Sequence, residues 1–120
     1  MGLDIYFYKR DKDNQNHRTE LGYFRKVNFL VEYFSLENCV DHICTEGELK
    51  DLLDKCNTVL EKRDNSISEE LLPTTSGFFF GSTDYDEWYY HDIEHVKETL
   101  GNIIGHYDPT KEDIIIHAWW

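Results

Sequence analysis

The chain is short of positive charge, of cysteine pairs and of long apolar runs, and each shortage narrows what it can be. Twelve Lys and Arg stand against twenty-four Asp and Glu. A phosphate backbone is bound through clustered Lys and Arg, so direct nucleic-acid binding by the whole surface is excluded. No stretch approaches the roughly 20 consecutive apolar residues that span a bilayer. Met1-Gly2-Leu3-Asp4 carries an acid where the apolar run of a signal peptide would begin, and Tyr6 breaks a myristoylation pattern. The three cysteines, Cys39, Cys44 and Cys56, are odd in number and irregularly spaced. Reduced thiols in a cytosol are the expectation, not a disulfide framework. There are no repeats, low-complexity tracts or linkers.

What is present is enough for one real core. The 120 residues include 18 aromatic rings and are 40% apolar, which suits a single compact domain over 1–120. The charge is uneven. Residues 1–36 hold five acids and six bases, residues 37–70 ten acids and four bases, and residues 71–120 nine acids and two bases. Negative potential gathered after Leu36 either solvates helix faces or steers the molecule toward a basic protein.

The hydrophobic pattern predicts an α+β fold. Leu3, Ile5 and Phe7 alternate with Asp4, Tyr6 and Tyr8 as in a half-buried strand. Lys9 to Thr19 is polar and reads as a mobile loop. Phe24, Val27, Leu30 and Phe34 recur at helical steps, which predicts a helix over 20–36. A short strand is expected near Val40–Cys44. Thr45 with Glu48 forms a capping box for a helix over 45–62, whose buried stripe includes Leu49, Leu52, Cys56 and Val59. After a connector with one helical turn at 69–72, closed by Pro73, Gly77-Phe78-Phe79-Phe80-Gly81 suits a short buried strand or packed loop. Asp84 with Glu87 is the expected cap of a third helix over 85–104. Ile114-Ile115-Ile116 belongs to a final strand buried on both faces, central and beside the first. The three helices should cover one face of a small sheet that includes both terminal strands.

Few segments carry chemistry. His91 and His95 lie one turn apart, but Asp92 stands where the hydrolytic zinc motif needs a glutamate and no third ligand is apparent, so no metal is expected. Cys39, His42 and Cys44 lack paired hooks for structural zinc, and Cys56 lies on the apolar stripe of its helix. A Cys–His nucleophile is not demanded by anything in the pattern. Gly77 and Gly81 with Ser82 and Thr83 lack the lysine of a phosphate loop, so no cofactor is expected. The helix start after them has N–H groups able to hold an anion, with Asp84 and Asp86 competing as caps. Arg25, Lys26 and Asn28 crowd polar groups into the one third of the chain that is not acidic; Arg25 either belongs to a polar pocket or ties down an acid of the third helix. Tyr85, Trp88, Tyr89 and Tyr90 have the composition of an interface.

The opening Met-Gly-Leu-Asp-Ile-Tyr, the segment Gly22-Tyr23-Phe24-Arg25-Lys26-Val27-Asn28 and the long run from Leu71-Leu72-Pro73-Thr74 through Gly77-Phe78-Phe79-Phe80-Gly81-Ser82-Thr83 to Tyr85-Asp86-Glu87 resemble an uncharacterised family of small proteins of tailed phages and prophages. The likeness runs to the closing Ile-His-Ala-Trp-Trp and brings no catalytic residues. It implies a non-enzymatic accessory protein that binds a host protein stoichiometrically, as anti-CRISPR inhibitors do. Under that expectation Asp84, Asp86, Glu87 and Glu94 meet a basic groove of a nucleic-acid-binding defence effector, with Trp88, Tyr89 or Tyr90 as anchors. The alternatives are a pocket for an anionic metabolite or nucleotide built from Arg25, Lys26, Asn28 and the Ser82–Tyr85 turn, and an enzyme using His91, His95 or a cysteine.

Overall fold

The computed structural model describes residues 2–120. In chain order the elements are β1 (Asp4–Asp11), β2 (Arg18–Arg25), α1 (Asn28–Phe34), β3 (Asp41–Cys44), α2 (Glu46–Lys62), α3 (Asn65–Leu71), α4 (Glu87–His106) and β4 (Glu112–Trp119). The strands form one antiparallel sheet in the order β2-β1-β4-β3. The architecture is α+β, and the sheet contains both terminal strands. Ile5 pairs with Phe24 on one side and Ala118 on the other, and Phe7 faces Ile116. β4 is an inner strand beside β1, and Ile114, Ile115 and Ile116 are all buried.

The helix expected over 20–36 is corrected. Residues 18–25 form β2, and the helix is confined to Asn28–Phe34. Phe24, Val27, Leu30 and Phe34 are all buried, but Phe24 reaches the core from a strand. Lys26 has a φ of 59°, a left-handed conformation that breaks any helix running through it. Pairing with β1 outweighs the weak local preference. The expected loop at 9–19 shrinks for the same reason. β1 continues to Asp11, and Lys9 and Arg10 pair with Glu112 (3.3 Å) and Asp113 (3.5 Å) of β4.

The capping box of α2 is present, with Glu48 N–H donating to Thr45 Oγ1 at 3.0 Å and Thr45 N–H to Glu48 Oε1 at 2.9 Å. Arg63 ends α2 in a left-handed conformation. Asp64 then caps α3, accepting from Ser66 and Ile67, so the single turn expected at 69–72 is a seven-residue helix. The cap of α4 is Asp86, not Asp84: its side chain accepts from Tyr89 N–H at 3.1 Å.

The main core lies on one face of the sheet, where Ile5, Phe7, Phe24, Ile114, Ile116 and Ala118 meet Leu52, Cys56, Ile93, Val96 and Leu100. Gly22 lets α4 approach β2, since a Cβ there would lie 3.0 Å from Thr99 Cγ2. The opposite face is covered by its own side chains. Arg18, on one outer strand, donates to Asp41 on the other at 2.9 Å, and its guanidinium lies 5.1 Å from the Tyr8 ring. Three strand spacings separate those strands, roughly 14 Å, so Arg18 straps the sheet crosswise. His117 Nδ1 stands 2.8 Å from the same carboxylate. Among the described residues no helix is long and apolar enough to cross a membrane.

Two outcomes follow. Leu100, fully buried in α4, should cost about 2–5 kcal/mol when replaced by alanine, read from urea unfolding. The strap should make stability acid-sensitive. The hydrogen bond from Arg18, and then that from His117, holds the Asp41 carboxyl below its ordinary 3.8. A depressed carboxyl contributes stability that is whole above its unfolded value and is lost as the pH falls through the folded one. Asp41→Asn should therefore flatten the decline of the urea midpoint below about pH 4 and leave the slope above it unchanged.

Candidate functional site

The segment between α3 and α4 has no regular structure, yet it is fastened at its centre by one buried amide. Asn28, 3% exposed, donates from Nδ2 to the carbonyls of Phe80 and Ser82, each at 3.0 Å, and accepts from Thr75 N–H at 3.2 Å. The base of the segment is closed separately. Thr74 Oγ1 donates to the Thr83 carbonyl at 2.9 Å, and Thr74 N–H donates to the Tyr85 hydroxyl at 3.1 Å. Buried polar groups are stable only when satisfied, and this set satisfies a loop that lacks a ladder of its own.

The fastening puts the glycine-bounded phenylalanines in three different settings. Phe80 is 5% exposed and packs edge-on to Trp120 at 5.1 Å. Phe79 is 47% exposed and Phe78 is 80% exposed, their rings in edge contact at 4.4 Å. Of the two expectations for this segment, a short buried strand or a packed loop, the structure has a loop, with two of its three rings outside. Phe79 adopts a φ of 63°, uncommon for a bulky residue. Gly81, at φ 85°, lies against the Lys26 stem, where an added Cβ would be 3.1 Å from Lys26 Cβ.

Beside this loop a cleft of about 160 Å³ joins residues from three places in the chain. Arg25, Lys26 and Asn28 line it from the β2–α1 turn, Thr74, Gly81, Ser82, Asp84 and Asp86 from the loop, and Trp88, Tyr89 and Asp92 from α4. The cleft lining thus takes Arg25, Lys26, Asn28 and Ser82 from the residues expected as a ligand pocket and Asp84, Asp86, Trp88 and Tyr89 from those expected as a protein interface, while Tyr85, Glu87, Tyr90 and Glu94 are outside it. Several members have structural duties. Arg25 pairs with Asp4 at 3.1 Å, and Tyr23 donates to the same carboxylate at 2.6 Å, so the acid held by Arg25 is on β1 and not on the third helix. Ser82 Oγ accepts from Asp84 N–H at 3.0 Å. Tyr85 braces the loop and is not part of the cleft lining. Burial raises the Asp92 carboxyl above its ordinary range. Asp92 entered the sequence reading only as a misfit to the zinc motif.

Of the aromatic anchors, only Trp88 is outside, 74% exposed. Tyr89 and Tyr90 are interior: Tyr89 donates to the Leu72 carbonyl at 2.7 Å, and Tyr90 reaches Asn65 and Ser68 at 3.1 Å each. At 100° per residue, Glu87, Glu94 and Glu98 fall within about 40° of arc on the exposed side of α4. His91, Glu94, His95 and Glu98 flank a shallow groove there. Among the described residues no lysine, arginine or histidine lies within ion-pair distance of Asp84, Asp86, Glu87, Glu94 or Glu98. Acids elsewhere do find partners, as in Lys55–Asp51 at 3.1 Å and His42–Glu48 at 3.0 Å.

The histidine and cysteine candidates are dispersed. Among the described residues no group of three or more His, Cys, Asp or Glu is placed to hold a metal ion. His95 sits 4.5 Å from the Phe24 ring. Burial drives the Cys44 thiol well above its ordinary value and the Cys56 thiol to about 12, which leaves both as protonated core residues. Cys39 is exposed, and its thiol donates to Asn38 at 3.3 Å. No family model, curated protein or solved structure matches the chain.

The Asn28 amide can be tested directly. Asn28→Ala leaves three backbone groups without their partner and should cost about 2–4 kcal/mol in urea unfolding. Asn28→Asp turns an oxygen toward two carbonyls and should be at least as costly. Both variants should gain a new site of limited proteolysis within residues 74–83.

Proposed function

We propose that this protein is a non-enzymatic binding module that docks a basic protein partner with the loop carrying Phe78 and Phe79 and the exposed side of α4. The observation that carries the reading is the exposure of Phe78, Phe79 and Trp88 within the segment that also bears the carboxylates without ion-pair partners among the described residues. Exposed aromatic residues are over-represented as anchors of protein interfaces, with polar and charged groups at the rim around them. A held loop suits docking because little ordering entropy remains to be lost. Five carboxylates with no cation within ion-pair distance among the described residues favour a partner surface rich in Lys and Arg, as a nucleic-acid-binding protein has.

The likeness to phage and prophage proteins extends this to a host-directed role in the bacterial cytoplasm, as an inhibitor or modulator of a defence effector of the anti-CRISPR kind. A small-ligand role has one observation in its favour, the convergence of Arg25, Lys26, Asn28 and Ser82 on the cleft. Three aspartates in the same lining weigh against a lone anion. A volume of about 160 Å³ is small beside the roughly 300–1,000 Å³ of sites for larger ligands, which weighs against a nucleotide.

The test is recovery of a partner from host lysate on the immobilised protein, then measurement with that partner purified. Phe78→Asp with Phe79→Asp should weaken binding by about 30-fold or more. Neutralising Asp84, Asp86, Glu87 and Glu94 together should slow association and remove most of its salt dependence. Binding indifferent to both sets of changes would sink the proposal.

A further inference from the structure

The cleft holds opposite charges that do not meet. Lys26 and Arg25 come from the β2–α1 turn, whereas Asp84, Asp86 and Asp92 come from the loop and from α4. Here, among the described residues, no lysine or arginine comes within 4.0 Å of any of these three aspartates, and Lys26 has no ion pair. Lys26 is fixed in its left-handed conformation with its N–H donating to the Leu3 carbonyl at 2.8 Å and its stem against Gly81. Asn28 holds the Phe80 and Ser82 carbonyls, and Asp86 is engaged in capping α4.

We infer that the cleft is a binding site for a small dipolar molecule of the free amino-acid class, its carboxylate toward Lys26 and its ammonium toward Asp84 and Asp92. Arg25 is already paired with Asp4 and Asp86 caps α4; a lone anion meets the aspartates and a lone cation meets Lys26, whereas a molecule with both charges a few ångströms apart satisfies both groups. The end of a peptide chain brings only one of the two charges, so the free amino acid is the better match. Its size is bounded: about 160 Å³ is close to the cavity volume that accepts a single benzene ring. Trp88, exposed in the cleft lining, has the ring to cover an ammonium group. This site does not depend on the partner-docking reading, since Phe78 and Phe79 are outside the cleft lining.

The experiment is an amide-resonance titration of the full ¹⁵N-labelled chain, with affinities from calorimetry. The probes are glycine, alanine, serine, β-alanine and γ-aminobutyrate, set against acetate, methylamine and inorganic phosphate. At least one dipolar probe should saturate, with shifts confined to residues 25–29 and 81–92, and bind about 10-fold or more tighter than acetate or methylamine. Lys26→Ala and Asp84→Asn, both at exposed positions, should each weaken that probe by about 10-fold with unchanged unfolding midpoints. Phe78→Asp with Phe79→Asp should leave it untouched, so the outcome is independent of docking. The inference is overturned if no dipolar probe saturates by about 10 mM, if a monofunctional ion or phosphate binds equally well, or if the Lys26 and Asp84 variants bind like the parent.

Discussion

Asn28 is the point on which the functional half of the molecule depends. Its amide faces two carbonyls and one N–H of a segment more than forty residues away in sequence, and every hydrogen-bonding atom of that amide is engaged except at its second lone pair. A loop with its own ladder would need no such partner. This one spans the gap between α3 and α4 with a reverse turn closed by Phe80 N–H donating to the Gly77 carbonyl at 3.1 Å, and without the amide three more backbone groups would need water. The same three bonds place Ser82 and Gly81 against Lys26 and leave Phe78 and Phe79 outside. The cleft and the exposed rings are thus two results of one buried contact.

The charge of the chain divides along a similar line. On the sheet, positive and negative groups cancel in pairs: Arg18 with Asp41, Arg10 with Asp113, Arg25 with Asp4. All six bases of residues 1–36 belong to β1, β2 or the turns next to them. Exposed pairs of this kind add little stability individually, but they leave that face without strong potential. The excess of acid is carried by the helices and the loop before α4. A net charge of −12 spread evenly would serve only solubility. Six of the acids, Asp84, Asp86, Glu87, Asp92, Glu94 and Glu98, lie within residues 84–98, the stretch that also carries Trp88.

Much of the fold was legible because several elements follow their local rules. α2 is written out by Thr45, Glu48 and its apolar stripe, and β4 by three consecutive isoleucines. α4 is legible from Ile93, Val96, Leu100 and Ile103, although its cap is two residues later than Asp84 suggests. Where reading failed, a long-range term decided. Phe24 fits a helix with Val27 and Leu30 by spacing alone, and only pairing with Ile5 makes it a strand residue. The site was half legible. Arg25, Lys26, Asn28, Ser82 and Trp88 stand out by residue type, but no local pattern could join a β-hairpin end to a loop fifty residues on. Three adjacent phenylalanines between glycines fit a buried strand or a packed loop equally well, and nothing local says which ring turns inward. Phe80 does, packing against Trp120.

Backbone conformation adds a further step to this reasoning. Lys26, Phe79 and Gly81 all have positive φ, at 59°, 63° and 85°, and they flank the Asn28 contact on both sides. For a residue with a side chain this conformation costs roughly 1–2 kcal/mol. Gly81 avoids the cost, but Lys26 and Phe79 do not, so the two unfavourable residues bear one of the two cations of the cleft and one of the two exposed rings. Had packing alone shaped this region, glycine or asparagine at both positions would have relieved the backbone without loss to the core, because neither side chain is part of it. Ser35, Cys39 and Arg63 also have positive φ, away from the cleft and the exposed rings, so the conformation alone does not mark a functional residue. What ties Lys26 and Phe79 together is the Asn28 contact, whose bonds to the Phe80 and Ser82 carbonyls fix the loop against the turn that carries Lys26.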